Sequence, residues 1–396
     1  MELARTSSAT GHALPALDAL RGVAITLVFL RHASGTIFTL PVGEGAARWV
    51  GAVMLGGHSG VSLFFILSAF LLARPFLAEA AGGPRLSRFS YAIRRTYRIM
   101  PLYFVVVTAT VLAKAHAPAD LLQAVPYLLF LQLIPGMTIA LVPDSLVWWS
   151  LATEVQFYLA LPLLPLALRS RMGRRVGLTL LLLYTAWYVA FAVGAFRLSN
   201  MQAQHFLAHS LAGRGPLFAF GILAAVLYDA RGRALRVWAQ RARPLRAGGA
   251  DLLLLATLGA LAALLRVVGP MSYIELETTL PAWHLVEGLL WTAVLLLVLL
   301  APLAVRPLLV SRVPVALGVI SYSVFLLHVP ILAHGAPVLR ARVPGLFAAT
   351  PLGKGMLGLC ACAAVVAVST LTYWAIERPM IKRGARVARW RSPSAR

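Results

Sequence analysis

The sequence predicts an all-α protein, a polytopic bundle of about ten transmembrane helices, and three observations support this prediction. Apolar residues make up 60% of the 396 residues and charged residues only 12%, whereas soluble domains average about 45–50% and about 25%. The apolar residues gather in runs close to the length of about 20 residues that a helix needs to cross a bilayer. Basic residues gather between those runs, as membrane topology requires.

Eleven apolar runs are candidate spans. They cover 17–39, 58–77, 99–115, 121–135, 146–168, 176–196, 207–228, 251–269, 282–304, 315–338 and 352–376. The run at 121–135 is the weakest, because it is short, contains Pro126 and lies between Asp120 and Pro135. We therefore predict that it is interfacial or re-entrant on the outer side, which leaves ten spans.

The distribution of charge predicts the orientation. Arginine clusters follow the second, fifth, seventh and ninth runs and continue in the tail from about Glu377, so the positive-inside rule places these segments and both termini in the cytoplasm. The opposite loops carry few bases and hold Glu44, Asp120, Asp144, Glu275 and Glu277. The chain 1–396 is then a single integral-membrane domain with a short cytoplasmic tail.

The positive-inside distribution of arginines also explains the net charge of +23. In a soluble protein it would favour nucleic-acid binding, but here we expect no nucleic acid and name membrane lipids and anionic ligands as partners. Cys360 and Cys362 lie inside an apolar run and point to different helix faces, so we expect neither a disulfide nor a metal site.

The first helix carries two functional candidates, Arg21 and His32. They are eleven positions apart, about 16 Å along a helix and on nearly the same face. Ionisable residues inside a span usually face the protein interior and serve function, and histidine is the usual general base near neutral pH. A histidine satisfied by a neighbour at the outer interface is the alternative.

A second candidate group precedes Pro101 in YAIRRTYRIMPLY. Arg94 and Arg98 are four residues apart and would share one helix face, with Arg95 a step round. Guanidinium groups in this arrangement suit phosphate oxygens. A positive-inside anchor is the competing interpretation.

Several further polar residues interrupt apolar runs. Glu154 and Ser150 lie in WWSLATEVQFYLALP, and a carboxylate at that depth needs a partner, which we expect to be His32 or an arginine. Ser68 suits close helix packing or a substrate pocket, and His328 is a further pocket candidate. Arg214 and Glu287 could form a structural pair.

Taken together, these segments resemble the large family of membrane enzymes called acyltransferase family three. The resemblance covers nearly the whole chain and rests on LDALRGVAITLVFLRHA, GVSLFFILSAFLL, RRTYRIMPLY, WSLATEVQFYL, SYSVFLLHVPIL and ERPMIKR. The family includes bacterial O-acetylases of surface glycans and acylases of macrolides. One departure is Ala69, which stands where the family usually has a glycine after the serine of the second helix.

The resemblance implies a multi-pass protein of the bacterial inner membrane that uses acyl-CoA, most simply acetyl-CoA, as a donor substrate with no permanent cofactor. It implies roles for Arg21, His32, Glu154 and the cluster Arg94, Arg95 and Arg98. We expect the arginines to hold the CoA phosphates and His32 to act as general base on a hydroxyl of a saccharide or glycoside acceptor, oriented by Glu154. An acyl-enzyme relay and a transporter of small anions with His32 and Glu154 as a proton relay are the alternatives.

Overall fold

The computed structural model describes residues 15–37, 46–135, 144–195, 198–271, 276, 282–347 and 350–390. Within these ranges the chain forms helices and connecting turns, with no strand. The acidic loop residues Glu44, Glu275 and Glu277 lie outside the described residues. The all-α prediction is confirmed.

The first part of the chain forms nine helices. They are α1 Pro15–Thr36, α2 Ala46–Leu55, α3 Ser59–Ala80, α4 Arg88–Lys114, α5 Ala124–Leu128, α6 Trp149–Ala160, α7 Leu164–Arg169, α8 Arg171–Ala192 and α9 Met201–His209. Single 3₁₀ turns at Gly56–His58 and Leu161–Leu163 join α2 to α3 and α6 to α7.

The second part also forms nine helices. They are α10 Leu211–Arg241, α11 Ala250–Val268, α12 Trp283–Leu300, α13 Arg306–Leu309, α14 Arg312–Val319, α15 Ser321–Pro330, α16 Ala336–Arg342, α17 Pro351–Thr372 and α18 Arg378–Trp390. Wide π-helical turns at Ile331–Gly335 and Tyr373–Glu377 join α15 to α16 and α17 to α18.

Nine continuous helical stretches in the described part of the chain are long and apolar enough to cross a membrane. Helix α1 has 22 residues and is less apolar because it carries Asp18, Arg21, Arg31 and His32. A helix of that length reaches about 33 Å, which also suffices to cross a bilayer. With α1 the bundle has the ten spans that the sequence predicts.

The weak run at 121–135 forms no long helix. It contains the end of the 3₁₀ turn Pro118–Gln123 and the five-residue α5, and both elements are too short to cross a bilayer. Asp120 accepts hydrogen bonds from the backbone N–H groups of His116 and Ala117, at 2.8 and 2.9 Å, and these bonds lower the pKa of its carboxyl. The carbonyl of Tyr127 accepts from the Tyr103 hydroxyl at 3.0 Å, which attaches the segment to α4.

The outward faces of the bundle are apolar. On α8, Leu180, Leu181, Leu182 and Leu183 are 57–62% exposed. In a soluble protein such a surface would be an aggregation hazard, but in a bilayer it is the surface that meets lipid.

Helix α1 lies inside the bundle and is approached closely by glycines. A Cβ on Gly318 of α14 would lie 1.7 Å from the Asp18 carbonyl oxygen, and one on Gly60 of α3 would lie 2.2 Å from the Ala24 carbonyl oxygen. Only glycine allows backbones to approach to this distance. Two neighbouring helices therefore hold α1 by direct backbone contact.

Ala69, the departure from the family pattern, also packs against a glycine. A Cβ on Gly221 of α10 would lie 2.6 Å from the Ala69 Cβ, so Gly221 leaves the space that the methyl group fills. The methyl group tightens the α3–α10 contact and stays outside the cavity described next.

Candidate active site

A cavity of about 810 Å³, including its open mouth, lies between α1, α3, α4, α6 and α15. Its walls are mostly phenylalanine, leucine and isoleucine side chains. Polar groups reach it from all five helices, namely Arg21, Ser68, Arg95, Arg98, Ser150, Glu154, Tyr158, Ser321 and Tyr322. A concave, partly apolar cavity with converging polar groups is the usual form of a small-molecule site.

Three arginines lie in this cavity. Arg21 comes from the first turns of α1, and Arg95 and Arg98 come from α4. Arg98 forms an ion pair of 3.3 Å with Glu377, which also accepts a hydrogen bond of 2.8 Å from Ser323. The cavity thus holds three positive charges, which two carboxylates balance in part: Glu377 through its ion pair with Arg98, and Glu154, which lines the cavity.

Sequence reasoning missed Glu377. It is 2% exposed and ends the π-helical turn between α17 and α18, which directs its carboxylate towards α4. The available signal was its position, because it is a carboxylate at the point where the last apolar run meets the basic tail. Only the basic residues that follow Glu377 were given a role, as a cytoplasmic tail.

Arg94 does not line the cavity. Its side chain is exposed, and the pair that reaches the cavity is Arg95 and Arg98 rather than the predicted Arg94 and Arg98. The reason is the packing of α18 on α4, where Gly384 lies against Tyr97 and the Ala388 carbonyl accepts from Ser90. This contact sets the rotation of α4 and leaves Arg94 at the margin.

Glu154 lies inside the cavity and is hydrogen-bonded by Ser68. The Ser68 hydroxyl donates to Glu154 Oε1 in a short contact between α3 and α6. Of the two partners expected for Glu154, His32 is bonded to other groups and does not line the cavity, whereas Arg21, Arg95 and Arg98 line the cavity together with Glu154. Ser68 thus has a polar role in addition to helix packing. Ser150 also lines the cavity, and its hydroxyl donates to the Val147 carbonyl at 3.0 Å.

His32 pairs with His328 instead. His32 Nδ1 lies 2.9 Å from the Val28 carbonyl oxygen and 3.1 Å from His328 Nε2, and His328 Nδ1 lies 2.9 Å from the Val324 carbonyl oxygen. Carbonyl oxygens only accept, so both Nδ1 atoms carry the protons and His328 Nε2 accepts from His32. This arrangement leaves His32 Nε2 with its lone pair available. We assign the tautomer from these bonds.

Two phenylalanines separate the histidine pair from the cavity. Phe64 and Phe325 both line the cavity, and their rings are 6.2 Å apart. The Phe325 ring is 6.1 Å from that of His328 on the next turn of α15. The cavity therefore ends one aromatic layer away from the histidines.

A second polar cluster is built around His284. His284 Nδ1 lies 3.0 Å from Arg214 Nη1 and 2.9 Å from Glu287 Oε2. The expected pair of Arg214 and Glu287 thus shares its cluster with a histidine that sequence reasoning had not used. Its spacing of three residues from Glu287, which places both on one helix face, was the available signal.

The model of the acyltransferase domain family matches residues 14–374, which is nearly the whole chain. The chain belongs to this acyltransferase family. Membership identifies the protein as a membrane O-acyltransferase. The match includes the cavity, both histidines and the second polar cluster.

Several named proteins are similar to this acyltransferase. A protein named as a membrane-bound transacylase, BcsY of Komagataeibacter xylinus, is 28% identical over 379 residues, which are 91% of this chain and 81% of BcsY. A protein named as an O-acetyltransferase of Staphylococcus aureus strain COL is 28% identical over 174 residues, 41% of this chain and 26% of its own length. The O-acetyltransferase OatA of Staphylococcus aureus is 27% identical over 162 residues, 38% of this chain and 24% of OatA. No solved structure matches the chain.

Proposed function

We propose that this membrane acyltransferase transfers an acyl group, acetyl in the simplest case, from cytoplasmic acyl-CoA to a hydroxyl of a saccharide or glycosylated acceptor. The observation that carries the proposal is the layout of α1. Arg21 lies in the arginine-lined cavity, and His32, with a free Nε2, lies on the same helix face about 16 Å further along.

The donor occupies the cavity in this proposal. Arg21, Arg95 and Arg98 bind the CoA phosphates through charge-assisted hydrogen bonds, and Arg94 adds charge at the cavity margin. The slender pantetheine arm follows the apolar walls towards Phe64 and Phe325. Glu154 and Ser68 act from inside this cavity, as hydrogen-bonding partners of the arm.

His32 is the general base, and His328 positions it. Nε2 of His32 takes the proton of the acceptor hydroxyl, and the oxygen forms a bond to the thioester carbonyl carbon. The carbon–sulfur bond then breaks, and the leaving thiolate receives that same proton from His32. The step is balanced with no further reactant.

The sidedness follows the charge distribution. The Arg21 end of the bundle carries the arginine clusters and faces the cytoplasm, where acyl-CoA is found. The His32 end then faces outward, in the inner membrane of a bacterium, where glycans and lipid-linked saccharides are available. Relatives named as O-acetyltransferases support a hydroxyl acceptor.

The test measures free CoA released from acetyl-CoA by the protein in nanodiscs, with an extract of the host's cell-envelope saccharides as acceptor. His32→Gln keeps hydrogen-bonding capacity but removes the base, and it should lower kcat by about 10²–10⁴. Arg95→Ala should raise the KM for acetyl-CoA by about tenfold or more, since a charge-assisted bond contributes about 1.5–3 kcal/mol.

His116→Gln is the matched control, because this exposed histidine lies beyond the end of α4 and outside the cavity. Its kinetics should equal those of the wild type. Full activity of His32→Gln would refute the base assignment. Absence of CoA release by the wild type with acetyl-, butyryl- and longer acyl-CoA would refute the proposal that acyl-CoA is the donor.

A further inference from the structure

The second polar cluster is buried and has no part in the donor cavity. Ser62 donates to Glu287 Oε2 at 2.7 Å, and His284 Nδ1 lies within hydrogen-bond distance of both Glu287 and Arg214. Glu287 is 0% exposed, Arg214 5% and His284 7%. Burying an arginine and a carboxylate is expensive, and within a membrane such groups usually serve a ligand or a reaction.

This cluster opens onto its own small cavity, which has room for about one water-sized group. The polar and aromatic side chains that line it are His58, Ser62, Trp149, Arg214 and His284. The Arg214 guanidinium also lies over the Trp149 ring, 5.2 Å from its centre. The space suits one hydroxyl-bearing end of a molecule rather than a whole sugar ring.

The small cavity is adjacent to the donor cavity. Both are lined by Val61 and Phe65, so one turn of α3 forms the wall between them. The small cavity is also close to the outer part of α1, because His58, which lines it, directly follows Gly57. The outer part of α1 packs on Gly57, where a Cβ would lie 2.1 Å from the Leu27 carbonyl oxygen and 3.1 Å from the Arg31 Cβ.

We propose that this cavity is the acceptor subsite, which holds the hydroxyl-bearing end of a saccharide and presents it to His32. The proposal rests on the function proposed above. Arg214 and His284 hydrogen-bond the acceptor oxygens, and the Trp149 ring packs against the carbons of the sugar.

Charge distinguishes the two cavities. The donor cavity is lined by three arginines and one carboxylate and suits phosphates. The small cavity is lined by a single arginine with histidine, serine and tryptophan, and Glu287, which accepts from Ser62 of its wall, supplies an opposite charge close by. A balanced set of donors and acceptors beside an aromatic ring suits a neutral polyol, since each hydroxyl both donates and accepts. It does not suit a polyanion.

The location agrees with access from outside. Ser62, Trp149, Arg214 and His284 all lie in the first turns of α3, α6, α10 and α12. His58 precedes the first turn of α3, at the end of the bundle that carries His32. A saccharide that arrives from the outer face meets this subsite and the base together.

The test separates acceptor from donor binding. Arg214→Lys keeps the charge and loses the fork of donors, and Trp149→Phe keeps an aromatic ring of smaller area. In nanodiscs, with the envelope saccharide extract varied at saturating acetyl-CoA, both should raise the acceptor KM by about three- to tenfold or more. The dissociation constant for CoA, measured by calorimetry without acceptor, should stay at the wild-type value.

Thr292→Val is the matched control, because Thr292 is buried on α12 and lines neither cavity. The proposal would be overturned if the acceptor KM were unchanged in the Arg214 and Trp149 variants, or if their CoA affinity changed by the same factor. Transfer by the wild type would still support the proposed function in either case. A fall in thermal stability with no KM change would assign the cluster a structural role. If the wild type acylates no saccharide, the acceptor class and this subsite fail together.

Discussion

Replacement of His328 by leucine tests how the reactive histidine is positioned. Leucine has a similar volume and keeps the site packed, but it removes the hydrogen bond of 3.1 Å to His32 Nδ1. The 2.9 Å bond from His32 to the Val28 carbonyl remains and preserves the tautomer. The variant thus loses one neutral hydrogen bond, which contributes about 0.5–1.5 kcal/mol. That corresponds to about a 2- to 13-fold lower kcat.

The assay is CoA release at saturating donor and acceptor, with the KM for each substrate determined separately. Both KM values should stay near the wild-type values, because His328 lines neither cavity. In a His32→Gln background the His328→Leu change should have no additional effect, since it acts only through His32. A loss of about 10² or more in the single variant would refute the positioning role, because a loss of that size is typical of removing a base.

Three further predictions test the framework around the site. Gly318→Ala would place a Cβ 1.7 Å from a backbone oxygen of α1 and should abolish folded, monodisperse protein in detergent, whereas Gly345→Ala, which meets nothing within 4 Å, should purify normally. Glu377→Gln removes a buried ion pair and should destabilise the protein by about 3 kcal/mol, read as a lower melting temperature; an unchanged melting temperature would contradict the pairing. Ser68→Ala deprives Glu154 of its hydroxyl donor and should raise the KM for acetyl-CoA about two- to tenfold without changing the acceptor KM; a change in the acceptor KM alone would argue against donor-cavity placement.

The fold was predictable because the membrane imposes a strong and local rule. Each span must be a helix with about 20 apolar residues, so the ten spans follow from the positions of the apolar runs. Even the rejection of 121–135 followed from local features, since prolines and short length act within the segment itself. Helix count does not require knowledge of which helices touch.

The partners of the polar residues were harder to predict, because they depend on helix rotation. Spacing alone placed Arg94 and Arg98 on one face with Arg95 a step round, whereas Arg95 and Arg98 are the arginines of α4 that line the cavity. Glu154 and His32 lie on different helices, so their separation depends on packing that the sequence does not display. The family resemblance proposed the site residues but could not give the bonds between them.

The tight packing of α1 bears on the mechanism, because α1 carries both Arg21 and His32. Glycines at 57 and 60 bring α3 and the turn before it against one side of the helix, while Gly318 brings α14 against its first turn. Such contacts leave little freedom for α1 to rotate or slide, because any movement would force backbone atoms together. Arg21 and His32 share this one helix, so the distance between the donor-binding end and the base is set by helix geometry alone. In the proposed mechanism, a long thioester substrate held at its phosphates would therefore meet a base whose position is already fixed, and the entropy cost of aligning them would be met during folding rather than during reaction.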